Sequence, residues 1–147
     1  MTREEATVAI LAAKAITELT WADLAARVGH SPVWTTAALL GQHAMSADEA
    51  QAATAALGLG PEIAAALQSY PMRGSLESAV PTDPTIYRFY ELIQVYGPTI
   101  KALIHEEFGD GIMSAIDFSM DIARIADPKG DRVQITLNGK FLPYRKF

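Results

Sequence analysis

The chain has 147 residues, of which half are hydrophobic and a fifth are charged, with a net charge of −5 and no cysteine. This composition suits one or two small domains around real cores, and it excludes disulfides and thiolate chemistry. No apolar run reaches about 18 residues, so no membrane span is expected, and the negative charge repels nucleic acid and anionic lipid. The opening residues MTREEATVAI carry two acids, which argues against a secretory signal or transit peptide. We therefore expect a cytoplasmic protein with neither a nucleic-acid nor a membrane partner.

The composition of the chain changes near residue 72. Residues 1–70 are rich in alanine and leucine and contain no good strand signal. The segment 71–84, PMRGSLESAVPTDP, then brings three prolines and a glycine that interrupt helical periodicity. After it the chain becomes aromatic and β-branched. The sequence thus predicts a helical domain over 1–72 and a second domain over 73–147.

Capping residues predict three or four short helices in the first domain. Thr20 with Asp23 and Ser46 with Glu49 have the spacing of capping boxes. Ser31 precedes a proline that suits the first turn of a helix. Three glycines stand where such helices would end: Gly29, Gly41 and Gly58.

The segment TWADLAARVGHSPVWTTAALLG resembles a helix-turn-helix of the phage-repressor type. Its second helix, 32–40, would be the recognition helix, but PVWTTAALL has no Arg, Lys, Asn or Gln to contact base edges. Residues 1–75 hold four basic and seven acidic side chains, whereas DNA affinity depends on Lys and Arg at phosphates. We therefore expect a packing or assembly module without DNA-binding function. The alternative function is a transcriptional regulator with a C-terminal oligomerisation domain.

The second domain opens with an unusually apolar helix, PTIYRFYELIQVYG. Asp83 and Pro84 suit its start, and Gly97-Pro98 predicts its end and the beginning of another helix that runs to Phe108. Its strongly polar residues recur every third position and form a stripe along one side: Arg88, Glu91 and Gln94. The other sides are apolar, which predicts burial on most sides. Since a domain of about 70 residues buries such a helix poorly alone, we expect contacts between subunits.

Strand signals follow this helical region and complete an α+β fold class. In the segment 109–127, alternate residues form an apolar column in which Ser114 carries the only hydroxyl. DPKGD, 127–131, predicts a turn. Asn138-Gly139, between two apolar runs, predicts a type I′ hairpin turn.

The polar stripe and the lone serine each allow a structural explanation as well as a functional one. A buried Arg–Glu pair is often structural and can even cost stability, and an isolated serine often bonds to backbone. A metal site is not expected, because the three histidines are scattered without ligand spacing: His30, His43 and His105.

The stretch PTDPTIYRFYELIQVYG…IKALIHEEFGDGIMSAIDFSMDI is similar to the catalytic domain of the cyanase family, also called cyanate hydratase or lyase. The resemblance is close over 71–122 and looser through ITLNGKFLP. The helical first part agrees with the family layout, a helix-turn-helix-like domain without DNA binding. Many members carry a cysteine where this chain has Ser75, but the family chemistry uses no thiolate.

The resemblance places the family's catalytic residues on Arg88, Glu91 and Ser114. It implies bicarbonate-dependent decomposition of cyanate to ammonia and carbon dioxide through carbamate, with no cofactor and with bicarbonate as co-substrate. It also implies a homodecamer, a pentamer of dimers whose C-terminal domains intertwine, with active sites between subunits. Glu91 would either orient the Arg88 guanidinium or relay a proton, and the adjacent arginine favours orientation because it opposes a raised carboxyl pKa. A structural oligomer without activity is the remaining alternative.

Overall fold

The computed structural model describes residues 1–74 and 76–147, and the chain divides into the units Met1–Ser75 and Leu76–Phe147. The first unit is helical, and the second combines one long helix with a two-stranded antiparallel sheet. The chain is therefore α+β, as the sequence predicts. Ser75 itself lies outside the described residues.

The first unit forms five helices among its described residues, rather than the three or four that the capping signals predict. They are α1 (Arg3–Ile16), α2 (Trp21–Val28), α3 (Pro32–Leu39), α4 (Ala47–Leu57) and α5 (Pro61–Gln68). Their buried faces meet in one apolar core, whose largest fully buried side chains include Ile10, Leu24, Leu39 and Leu67.

The predicted caps of these helices are confirmed. The hydroxyls of Thr20 and Ser46 accept from the backbone N–H three residues later, and Asp23 and Glu49 complete the boxes. The Ser31 hydroxyl likewise accepts from the backbone N–H of residue 34. The pKa of the Glu49 carboxyl is lowered, first by the backbone N–H of Ser46 and also by the His30 ring 2.5 Å away. The three predicted glycines adopt positive φ beyond α2, α3 and α4.

Arg3 is a buried charged residue of this unit, only 8% exposed. Its guanidinium donates to the carbonyl oxygens of Ala66 at 2.9 Å, Ala38 at 2.8 Å and His43 at 2.6 Å. Arg3 thereby joins the start of α1 to the ends of α3 and α5, where carbonyls lack partners within their own helices. Burial lowers the pKa of its guanidinium.

The predicted recognition helix forms as α3, and part of its surface lies in the core through Thr35, Ala38 and Leu39. It carries no basic side chain with which to contact phosphate or a guanine edge. The structure thus offers nothing in α3 that favours the regulator hypothesis.

The second unit begins with one continuous helix, α6 (Pro84–Phe108), capped by the Asp83 carboxylate. The prediction of two helices separated at Gly97-Pro98 is therefore wrong. A proline disfavours the helical conformation of its preceding residue partly through that residue's Cβ, and Gly97 has none. Pro98 thus removes one hydrogen bond without ending the helix.

No residue of α6 is buried within the single chain. The prediction that most sides of this helix are buried therefore does not hold for one chain alone. Nine large apolar side chains of the helix are exposed: Ile86, Phe89, Leu92, Ile93, Val95, Tyr96, Ile100, Leu103 and Phe108. Within the described residues, none of the helices combines the length and hydropathy that crossing a bilayer requires.

Two antiparallel strands, β1 (Gly111–Ile125) and β2 (Arg132–Pro143), follow the helix. The predicted turn between them is confirmed, because Gly130 N–H donates to the Asp127 carbonyl at 3.0 Å. The prediction of a hairpin turn at Asn138-Gly139 is wrong. Both residues lie inside β2, opposite Ser119 and Phe118, and Gly139 lacks the positive φ that a type I′ turn requires.

The strand pairing contains a β-bulge directly beside this glycine. Met113 pairs with Phe141 and Phe118 with Gly139, so that residues 114–117 of β1 face only Lys140 of β2. Such insertions redirect side chains and break the alternation of a strand. The predicted period-two apolar column therefore fails here: Ser114 is 5% exposed, whereas Ile116 is 97% exposed.

Candidate active site

Arg88 lies in the second turn of α6 and is exposed in the single chain. Its guanidinium carbon lies 5.8 Å from the centroid of the Tyr87 ring, a cation–π distance. Tyr87 in turn lies 5.8 Å from the ring of Tyr90. The arginine charge is thus supported by an aromatic neighbour that the sequence analysis did not single out.

Glu91 follows three residues later and is also exposed. The ion pairs among the described residues do not include one between Arg88 and Glu91. The pair expected from their spacing is therefore not formed within one chain. Neither side chain is held by the other, and both remain available to groups outside the chain.

Ser114 is buried at the beginning of the bulge in β1. Its Oγ accepts hydrogen bonds from the backbone N–H groups of Ile116 and Asp117, both at 3.0 Å. The structural explanation of a lone serine, bonding to backbone, is thus partly correct. However, both backbone groups are donors, so they use the lone pairs of the hydroxyl and leave its hydrogen unused.

No hydrogen bond or ion pair in the described part of the chain connects Ser114 to Arg88 or Glu91. Arg88 is twenty residues from the end of α6 at Phe108, which at about 1.5 Å per residue is roughly 30 Å of helix. The sheet begins just beyond that end. The chain therefore places the three predicted residues in one unit without joining them into one constellation.

A cleft of about 380 Å³ lies in this unit between α6 and the start of the sheet. Its lining includes the apolar side chains of Ile93, Ile100 and Met113 and the polar side chains of Lys101 and His105. None of the three predicted site residues lines it. We therefore interpret this cleft as apolar surface of the helix and sheet rather than as the site of the chemistry.

The described residues contain no cluster of three or more His, Cys, Asp or Glu side chains suited to a metal ion. Among the three candidate site residues, Arg88 is the one that carries a positive charge. Arginine presents a planar fork of donors suited to carboxylate-like oxygens and stays protonated even in a dry site. Together with a donating hydroxyl, such a group suits small anionic substrates.

Two family models match the two halves of the chain. Residues 3–71 match the model described as "Cyanate hydratase, N-terminal", and residues 78–146 match "Cyanate lyase C-terminal domain". Full-length relatives agree with them. The chain is 61% identical to a cyanate hydratase of Dechloromonas aromatica and 62% identical to one of Thiobacillus denitrificans, in each case over all 147 residues and the whole relative.

A solved structure has the same architecture. The crystal structure of cyanase from T. urticae matches with a TM-score of 0.83 and 40% sequence identity. The match covers 95% of this chain and 97% of that one. The likeness extends across the helical first part as well as the long helix and sheet.

Proposed function

The chain belongs to the cyanase family, and we propose that it catalyses the bicarbonate-dependent decomposition of cyanate to ammonia and carbon dioxide through carbamate. It is a carbon–nitrogen lyase that acts on cyanate. The finer proposal rests on the guanidinium of Arg88, which forms no ion pair with any described residue. It lies on a helix whose apolar side chains are exposed in the single chain. Bicarbonate is the co-substrate, and the chemistry needs no cofactor.

The reaction balances as the addition of one anion to another. A bicarbonate oxygen attacks the cyanate carbon, and the resulting adduct carries two negative charges. The adduct loses carbon dioxide to give carbamate, which then breaks its C–N bond to give ammonia and a second carbon dioxide. The overall reaction consumes two protons, one cyanate and one bicarbonate.

Charge repulsion is the first obstacle that this reaction meets. At about 4 Å and an effective dielectric near 20, two like charges repel by roughly 4 kcal/mol. Arg88 would offset this repulsion with a charge already in place and a fork that binds two oxygens together. A preorganised cation of this kind stabilises the dianionic adduct more than either reactant.

Ser114 and Glu91 would complete the site with different roles. The Ser114 hydroxyl would donate to a substrate oxygen or nitrogen where negative charge develops. It is not the nucleophile, because bicarbonate supplies that group. Glu91, on the same side of α6 as Arg88, would orient the guanidinium in the assembled enzyme, with proton relay to the leaving nitrogen as its alternative role.

The site would be assembled from more than one chain. Large apolar side chains are exposed on the sheet as well as on α6, among them Ile112, Ile116, Ile122 and Val133. So many exposed large apolar side chains in one small unit indicate an interface. We therefore propose an intertwined dimer and a homodecamer of five such dimers, in which Arg88 and Ser114 of different chains meet.

We also propose that the enzyme is located in the cytoplasm. A chain without cysteine has no requirement for an oxidising compartment. The activity would there serve to remove cyanate and to release its nitrogen as ammonia. Recovery of the enzyme outside the cytoplasmic fraction of lysed cells would contradict this location.

Purified protein supplied with both cyanate and bicarbonate is expected to release ammonia, because bicarbonate is a reactant and not an activator. An ammonia assay with each substrate omitted in turn checks this, in buffer freed of dissolved carbon dioxide. Ammonia release should stop without either substrate, and two carbon dioxide molecules should form per ammonia. Ammonia release from cyanate alone at an undiminished rate, or none under any condition, would contradict the proposal.

A further inference from the structure

Gly139 was singled out by the sequence as a turn residue, but it performs another task inside β2. Its φ is not positive, so its backbone conformation is open to other residues. A side chain is excluded at residue 139 because there is no room for it. A Cβ at this position would overlap the carbonyl oxygen of Ser114 and lie 2.6 Å from the Cγ of Met113.

The Ser114 carbonyl lies close to Gly139 because the β-bulge begins there. The four residues 114–117 face one residue of β2, and the pairing resumes only at Phe118 with Gly139. A glycine in a strand often marks such a close approach of two backbones. The absence of a side chain at residue 139 therefore lets the bulge pack against β2.

The same bulge fixes the hydrogen bonding of Ser114. Both of its partners, the N–H groups of Ile116 and Asp117, belong to the bulge and donate to Oγ at 3.0 Å. A serine hydroxyl has two acceptor lone pairs and one donor hydrogen. With both lone pairs occupied, the hydroxyl can act on a ligand only as a donor, and no acceptor for it occurs among the described residues.

We infer that Gly139 is a positioning residue for the reaction: it makes room for the bulge whose backbone donors hold the Ser114 hydroxyl as an obligate hydrogen-bond donor to an anionic substrate. This inference rests on the proposed role of Ser114. A methyl group at residue 139 displaces the Ser114 carbonyl, and with it the two N–H groups that fix Oγ. The hydroxyl is then free to rotate or to accept a hydrogen bond, and it is no longer oriented to donate to the substrate.

The test compares Gly139→Ala with Ser114→Ala, with the double variant and with Asn138→Ala as the matched control. Asn138 is the exposed neighbour of Gly139 on the same strand and pairs with Ser119, outside the bulge. All four proteins are purified as the full assembly, and ammonia release is measured over a range of both substrates. Assembly size and circular dichroism are recorded for each.

Both reactants are anions before they meet, so the Ser114 hydroxyl binds substrate in the ground state as well as where charge develops. Gly139→Ala is therefore expected to raise the KM of the same substrate as Ser114→Ala does, by roughly tenfold or more, as for a lost hydrogen bond to a charged group. The double variant should be no worse than Ser114→Ala, because both changes remove one interaction. A general structural defect would lower kcat through the active fraction and leave KM unchanged. Asn138→Ala should retain the KM values of the parent.

The outcomes separate this inference from the proposed function. Unchanged KM values in Gly139→Ala, or additive losses in the double variant, would overturn the inference alone. Full activity in Ser114→Ala would overturn the proposed role of Ser114 and the inference with it.

If Gly139→Ala fails to assemble, a second variant tests the inference. The amide N–H of Asp117 is replaced by an ester oxygen through incorporation of the α-hydroxy acid, which removes one donor to Ser114 Oγ without adding a side-chain atom. The KM affected by Ser114→Ala should then rise by about three- to tenfold. An ester variant with unchanged KM values would overturn the inference.

Discussion

Replacing Arg88 with methionine is expected to lower turnover by a factor on the order of 10³ or more, because the lost charge offsets about 4 kcal/mol of repulsion between two anions. Methionine keeps most of the apolar stem and removes the guanidinium. Since Arg88 forms no ion pair within the described chain, assembly and thermal stability should change little. Steady-state ammonia release, together with the mass of the assembly in solution, measures both effects.

Two further variants define what the arginine contributes. Arg88→Lys keeps the charge and loses the planar fork, so it should fall between the parent and Arg88→Met. Arg124→Met is the matched control, because Arg124 is 82% exposed and contacts Asp131 at 3.5 Å near the turn of the sheet. Retention of more than about a tenth of the parent turnover in Arg88→Met, against this expected loss, would show that another group neutralises the substrates.

Replacing Arg3 with methionine is expected to destabilise the first unit by about 3 kcal/mol, since the change removes three hydrogen bonds donated by a buried charged group. The carbonyls of Ala38, His43 and Ala66 each lose a donor within 2.9 Å. Two effects reduce the expected loss of stability. The guanidinium is itself costly to bury, and its Nε has no hydrogen-bond partner within the described residues.

Urea unfolding followed by tryptophan fluorescence measures this effect selectively. The chain has two tryptophans, and both lie in the first unit, at Trp21 and Trp34. Arg27→Met serves as the control, because Arg27 is exposed on α2 and donates to no carbonyl in the described residues. A change of less than about 1 kcal/mol in Arg3→Met, the size of one ordinary hydrogen bond, would contradict the bridging role of Arg3.

The features predicted correctly from the sequence are those that local chemistry decides. The hydroxyls of Thr20, Ser31 and Ser46, and the carboxylate of Asp83, satisfy N–H groups within three residues of themselves. Such bonds depend on spacing alone, and spacing is visible in the sequence. The α+β class followed from the change between these capped helices and the alternating strand pattern.

The incorrect predictions concern features that depend on residues distant in the chain. Asn138-Gly139 has the local signature of a turn, but β1 already pairs with this segment across the turn at 127–131. Gly97-Pro98 has the signature of a helix end, but the glycine has no Cβ to clash with the proline ring. The burial of Arg3 depends on three carbonyls between 35 and 63 residues away, which no periodicity reveals.

The candidate site was likewise only partly predictable from the sequence. Polarity on an apolar helix and a hydroxyl in an apolar strand column single out Arg88, Glu91 and Ser114 from the sequence. Their roles remain proposals, because the single chain does not join them by hydrogen bonds or ion pairs. The alternation pattern also cannot show that Ser114 opens a bulge, since a bulge is defined by the partner strand.

Assemblies of two impaired chains test most directly whether Arg88 and Ser114 of different subunits share one site. Arg88→Met and Ser114→Ala chains carrying different affinity tags are co-expressed, and mixed assemblies are isolated by two successive purifications. If each site takes its arginine and its serine from different chains, some mixed sites hold both native residues, and ammonia release should rise well above that of either parent variant. Mixed assemblies no more active than the two parents would contradict the account, because a site built within one chain cannot be restored by its neighbour.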